Sequence, residues 1–517
     1  MKKINRYILS GFMFLAASSL FSCKKLLEQE PKNSTYQEAF WKTASDARSA
    51  IAGNYGLLRT AMMDKNNRYY MYGDAIAKNY FTIQYSGDGI AGLGNGGDGL
   101  DGIQNGDFTF QYNLNSLANY TLYYKTIAMS NVAIANVSKM TDAQLKDIDD
   151  PTAFRNNIIG QALFIRALSY FMMTRVWGDV PLVTVAYDDP INAPQLPRSP
   201  KADVMKQIET DCRTAINLLK WNYTDPGDAH VTANKGSVYA LLAHLYLWRA
   251  TMSNVATDAP ILTDVNSADT TINTLIAKGG YTLTDTANYK NIFIGRSSES
   301  IFEVNMSENT LEGSRLGIGL YFLNSNYVNT FGNNPRYYTA PGYLTQNFAD
   351  NDSLDVRYKK NFDNSNPEKP VCLKYANINY RIPAQKLDPL LSNNMIVFRL
   401  SDMILLKAEI ALYKGDVATA RNIINDSRKR HNRNPTLVDA SATASDVMDE
   451  YIVERSREMY LEGHLYYDLL RTRRYTDVID WLTTSRFRQE GFYWPVDPAL
   501  FRQNPLLKQT TYWLGKV

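Results

Sequence analysis

Cysteine, histidine and long apolar runs are all scarce in this 517-residue chain, and each scarcity removes a class of architecture. The three cysteines are Cys23, Cys212 and Cys372. With Cys23 in the leader region, the other two allow at most one disulfide, so stability must come from core burial, which a chain of this length can supply. His230, His244, His431 and His464 show no metal-ligand spacing, and neither CxxC nor HExxH occurs, which argues against a structural zinc. One-sided charge is missing too. Taking the three bases of residues 1–22 from 55 Lys+Arg leaves 52 against 52 Asp+Glu, so no net field collects nucleic acid or anionic lipid.

The single apolar run is N-terminal. Lys2, Lys3 and Arg6 precede an uncharged stretch from Tyr7 to Phe21, followed by Ser22 and Cys23. That order is a secretory signal, and the run is shorter than the ~20 residues needed to span a bilayer. Leu20-Phe21-Ser22-Cys23 resembles a bacterial lipobox, which implies cleavage before Cys23 and its acylation. Two or three acyl chains would hold the protein on a membrane, since each buried methylene contributes ~0.8 kcal/mol.

What remains reads as mainly helical. Thr35 with Glu38 forms a capping box, and apolar spacing continues through Ala47, Ile51, Tyr55 and Leu58, predicting one helix from Thr35. Further helices are expected at 120–137, 154–177, 201–220, 233–250, 400–414, 416–431 and 445–470. The second of these, 154–177, should stop at Gly178-Asp179-Val180-Pro181, because glycine can cap a helix and proline cannot extend one. The stretch Ala408 to Ala420, with Gly415 at its turn, looks like a tetratricopeptide unit; one such unit cannot bury its own face, so several helix pairs must stack. The expected organisation is a signal peptide at 1–22 and one domain at 23–517. Its helical frame covers about 35–250 and 395–517, with a loop-rich face at about 251–394.

Candidate chemistry is concentrated in three places. Residues 87–106 hold nine of the 29 glycines among Asp and Asn, which makes a loop; P-loop and EF-hand orders are absent, leaving a loose calcium site as an open alternative to no cofactor at all. Glu454, Glu458, Glu462 and Asp468 have the residue types of a glycosidase carboxylate pair. Their successive i,i+4 spacing beside Arg455, Arg457 and Arg471 instead predicts neutralising ion pairs and no catalysis. Residues 321–343 combine Tyr321, Tyr327, Tyr337, Tyr338 and Tyr343 with Arg336 and the asparagines 324, 326, 329, 333 and 334, a set suited to stacking on sugar faces and bonding hydroxyls. Tyr80, Phe81 and Tyr85 form a second such group.

Over essentially the whole mature length the chain resembles the SusD/RagB family. The resemblance rests on Phe40-Trp41, Gly160-Gln-Ala162, Phe164-Ile-Arg166-Ala167, Trp177-Gly-Asp-Val-Pro-Leu182, Asp355-x-Arg357, Arg399, Glu454-Arg455, Glu458, Glu462-Gly463, Asp468, Arg471 and Trp494-Pro495, in that order. It departs at Tyr120, where the family often has tryptophan, and at Lys24-Lys25, where surface-displayed members often have acidic residues. The resemblance implies a tetratricopeptide-like scaffold on the outer membrane that acts as the lid of a SusC-like TonB-dependent transporter and binds a glycan or related nutrient. Two other classes stay open on the residues alone: a scaffold that binds only protein, and a surface glycan hydrolase.

Overall fold

The computed structural model describes residues 40–64, 68–77, 81–83, 100, 103, 106, 117–187, 193–306, 309, 311–313 and 317–516. Its longer helices are α1 (Ala44–Met62), α2 (Thr121–Val137), α3 (Pro151–Trp177), α4 (Lys201–Leu218), α5 (Lys235–Met252), α6 (Leu262–Lys278), α7 (Leu400–Tyr413), α8 (Val417–His431), α9 (Ala444–Glu458) and α10 (Leu465–Thr472). Each packs on the next in sequence from α1 to α10, so the frame is one continuous stack of helices, as the tetratricopeptide-like expectation requires.

Local chemistry sets where these helices start and stop. The helix expected from Thr35 is interrupted at Trp41–Thr43, and α1 begins at Ala44. There the Thr43 side chain accepts from the Asp46 amide while Asp46 accepts from the Thr43 amide at 2.8 Å, a reciprocal cap that fixes the start. Thr35 and Glu38 lie outside the described residues. The same device opens α5 with Asn234 and Ser237, and α9 with Thr443 and Asp446. α3 ends as expected at Gly178, whose φ of 70° suits glycine, and the buried Trp177 ring meets the edges of Tyr72, Tyr120 and Tyr123.

Two expectations about the frame are corrected. α6 lies in the region read as loops; its Val265, Ala268, Ile272 and Leu275 form a helical stripe buried against α5 and α7. The periodicity was present, but Ser, Thr, Asn and Asp, residues that favour turns, fill its other face. The predicted helix over 445–470 is in fact α9 and α10 separated by a corner at Met459–His464, where Leu461 (φ 54°) and Gly463 (φ 74°) turn left-handed. That corner is held from far along the chain: the Tyr69 hydroxyl donates to the Glu462 carbonyl at 2.7 Å, and the Gly463 amide donates to Asp74 at 2.8 Å.

Because α6 packs on α7, residues 279–399 are an excursion from an otherwise unbroken stack. Its base is closed by two fully buried strands, β2 (Ser300–Val304) and β8 (Met395–Arg399), paired antiparallel with Ser300 opposite Arg399. Between them lie short pairs: β3 (Tyr337–Thr339) with the distant β1 (Phe81–Ile83), β4 (Phe362–Asp363) with β5 (Val371–Cys372), and β6 (Ile378–Ile382) with β7 (Leu387–Leu391). One hydrophobic core runs from Trp41 to Trp513, and a small satellite of Leu323, Val328, Val371 and Leu391 sits under the excursion. Cys212 and Cys372 are both buried and unpaired, so no disulfide joins them.

Candidate functional site

The carboxylates that resemble glycosidase machinery are all buried and all salt-bridged. Arg357 reaches Glu454 at 2.7 Å and Glu458 at 2.8 Å, while Arg399 reaches Glu458 and Glu462 at 2.7 Å and Glu299 at 2.9 Å. Lys374 closes the lattice on Glu462 at 2.6 Å. Burial opposes ionisation, but Arg357, Arg457 and Arg428 outweigh it and hold Glu454 down to about 2; Glu458 is held well below the usual carboxylate range by His431, Arg399 and Arg357, and Glu462 is held below it by Arg399 and Lys374. A general acid requires the opposite shift.

The expected role as ion pairs is what the structure has: Asp468 meets the expected Arg455 and Arg471, while the three glutamates take their closest partners from elsewhere. Arg455 serves Asp402 and Asp468, Arg471 serves Glu409 and Asp468, and Arg457 lies closest to Asp352. The main cations for the glutamates, Arg357, Lys374 and Arg399, come from the excursion. Helical spacing exposes neighbours on one helix and is silent about a segment 60 to 100 residues away.

Two clusters, His244 with Asp402 and His464, and His431 with Glu454 and Glu458, bring nitrogen and oxygen donors together. Their chemistry is that of the same lattice. Asp402 already accepts from His244 at 2.7 Å and Arg455 at 2.6 Å, and burial drives His464 down to about 3. A metal cation there would lie beside a guanidinium. The glycine-rich segment weighed for calcium falls almost wholly outside the described residues.

The loop face is different in kind. Tyr327 is half-buried on the satellite core, and its hydroxyl donates to Asp363 at 2.5 Å. Partial burial and that carboxylate push the tyrosine up to about 12, and the same bond holds Asp363 below its usual value. The Tyr380 hydroxyl donates to the Tyr327 carbonyl at 3.4 Å. Sequence reading missed Asp363 and Tyr380, which lie 36 and 53 residues from Tyr327 in segments with no aromatic concentration of their own.

The two tyrosine-rich segments do meet: Phe81 pairs with Thr339 and Ile83 with Tyr337 in the β1–β3 ladder. Tyr80 and Tyr85 lie outside the described residues, as does Cys23. Arg336, Asn326, Asn329, Asn333 and Asn334 are exposed in the same chain segment as Tyr327. Asn324 instead builds the turn, its side chain accepting from the Asn326 amide at 3.1 Å.

Tyr321 and Tyr337 are corrections. Tyr337 is 0% exposed and Tyr321 5%; they stack on each other with centroids 4.8 Å apart, so neither offers a ring face to a sugar in this arrangement. Tyr343 is also interior, donating to the Ser456 carbonyl at 2.9 Å. Tyr337 takes the core side of β3, and Tyr321 and Tyr343 the core side of the short helices Gly319–Phe322 and Pro341–Asn347; composition alone does not say which side an aromatic takes.

Comparisons with known proteins agree with this architecture. Residues 101–247 match a family described as starch-binding and associating with the outer membrane, and residues 326–513 match the SusD family. SusD-like protein P38 of Formosa agariphila is 24% identical over 98% of this chain and 99% of its own. SusD-like protein P25 of the same organism is 22% identical over 98% of both. Among solved structures, a SusD homolog from Bacteroides thetaiotaomicron superposes with a TM-score of 0.75 at 23% identity, covering 91% of this chain and 98% of that one. NanU of Bacteroides fragilis gives 0.69 at 20%, covering 93% and 99%. The chain belongs to the SusD/RagB family.

Proposed function

We propose that this protein is a non-catalytic, sugar-binding lipoprotein of the outer-membrane surface, which captures an oligosaccharide on its loop face and passes it to a SusC-like TonB-dependent transporter. Family membership supports the sugar-binding and membrane parts of this reading; Cys23 supplies the anchor. The observation that carries the choice of face is the convergence of the 81–83 and 337–339 segments on one small sheet, in the excursion that also carries Tyr327. Tyr327 and Arg336 are the contacts proposed from the described side chains, joined by Phe81, whose backbone lies in the ladder, and by Tyr80 and Tyr85 near it in sequence. A ring anchored through Asp363 loses little freedom on binding, which favours affinity.

The test is a glycan array on the soluble form lacking residues 1–23, then calorimetry with the best array ligand on Tyr327→Ala and Arg336→Ala. Tyr327→Ala is expected to weaken binding about tenfold with an unchanged melting temperature. Parental affinity in both folded variants would remove this face. The same protein should leave its glycan uncleaved, and Cys23→Ala should leave the membrane fraction.

A further inference from the structure

On the helical frame, away from the loop face, lies a polar groove of about 550 Å³ in which α5 is the floor and α4 and α6 are the walls. That volume is in the range of small-ligand sites. We propose that this groove is a second carbohydrate subsite, selective for neutral oligosaccharides; this rests on the sugar-binding reading and adds a site on the helical frame.

Three observations point to that ligand chemistry. First, the walls present acceptors. Ser267, Thr270 and Thr274 each donate their hydroxyl proton to the carbonyl four residues earlier, at 2.9, 3.0 and 2.8 Å, and Asn217 donates its amide to the Arg213 carbonyl at 3.2 Å. With the hydroxyl protons committed to the helix backbone, lone pairs are what Ser267, Thr270 and Thr274 turn to the groove, complementary to a ligand's hydroxyl donors, while Asn217 keeps its carbonyl oxygen and one N–H to offer. Second, the floor carries a held aromatic: half-buried Tyr239 stacks flat on Trp221, with rings 5.3 Å apart and 2° from parallel. A ring fixed in this way offers apolar surface to the C–H face of a sugar. Third, the local charges cancel. Arg213 and Arg249 share Glu209 at 2.8 and 2.6 Å, and Arg249 also holds Asp264 at 2.6 Å, two cations against two anions. A neutral ligand loses nothing there, whereas an acidic sugar finds no spare cation.

The experiment is affinity electrophoresis of the purified full chain in gels cast with amylopectin, laminarin or galactomannan, comparing the parent with Tyr239→Ala, Thr270→Val and Tyr327→Ala. Thr270 is exposed and its replacement isosteric, so that variant keeps the test open if Tyr239→Ala fails to fold. On a polysaccharide that retards the parent, the apparent dissociation constant should rise about tenfold for Tyr239→Ala and about threefold for Thr270→Val, with melting curves unchanged. Parental retardation of the folded groove variants overturns the groove and leaves the loop face standing if Tyr327→Ala loses binding. Weakening by the groove variants with a silent Tyr327→Ala supports the groove and removes the loop face. No retardation of the parent in any of the three gels overturns the groove.

Discussion

The corner beneath α9 and the loop face around Tyr327 both join a carboxylate to a distant partner, in opposite solvent settings. At the corner, Arg357 and Arg399 are fully buried and divide four glutamates and Asp355 between them, so every charge depends on its neighbours. On the loop face, Tyr327 and Asp363 form a half-open pair that water can replace on either side. The corner ties the excursion to the frame and has no freedom to adapt. The loop face holds the Tyr327 ring by one partly solvated bond and leaves it reachable from solvent, the setting a binding surface requires.

That contrast breaks most visibly at Arg399. Arg399→Leu leaves Glu299, Glu458 and Glu462 short of a buried counter-charge and should cost about 3–5 kcal/mol in urea unfolding. Arg399→Lys should rescue little of it, because one ammonium cannot reproduce a guanidinium that bonds three carboxylates. A loss under about 1 kcal/mol for Arg399→Leu would show that the lattice is dispensable.

Gly463 should come next. Its φ of 74° and the Tyr69 ring 2.4 Å from where a Cβ would lie make Gly463→Ala expensive twice over. The left-handed backbone accounts for ~1–2 kcal/mol and the overpacking for about 1–3. Gly415, also at positive φ but in open space, provides the comparison: Gly415→Ala should show the backbone part alone.

Asp74 sharpens the comparison through pH. Burial pushes its carboxyl well above the usual range, with the Gly463 amide its main compensation. A raised folded value means that its contribution is full below the unfolded value near 4 and is lost as pH rises towards the folded one. Asp74→Asn keeps an acceptor for Gly463 and removes the ionisation. Its urea midpoint should exceed the parent's at pH 8 and converge with it near pH 4.

The smallest effect is expected on the loop face. Tyr327→Phe deletes the bond to Asp363 and should cost under ~1 kcal/mol, because the pair is partly solvated. Asp363, held low by that bond, should titrate closer to its ordinary value in the variant, which carbon-detected NMR can follow. A loss as large as that of Arg399→Leu would place Tyr327 in the structural lattice and not in a binding face.

Much of this was legible from residue order. The helix stop at Gly178, the paired state of Glu454 and Glu458, and most helices of the frame follow from periodicity, caps and charge spacing, which act within a few residues. α6 was hidden because its polar face is made of turn-favouring residues, and the corner at Met459–His464 because apolar spacing continues across it. Tyr321 and Tyr337 were misplaced since composition counts aromatics without saying which face of a helix or strand they take.

The sequence by itself determined that the chain is helical, that its N-terminus reads as an export signal, and that Glu454 and Glu458 lie one turn apart on one helix, because these depend on contacts within one or two turns. Only the tertiary structure decided that Glu462 sits in the corner past that helix, that Arg357, Lys374 and Arg399 neutralise the three glutamates, that Asp363 anchors Tyr327, and that residues 81–83 lie beside 337–339. Those pairings join segments tens to hundreds of residues apart, and their partners are selected by the burial of a common core, which no local pattern encodes.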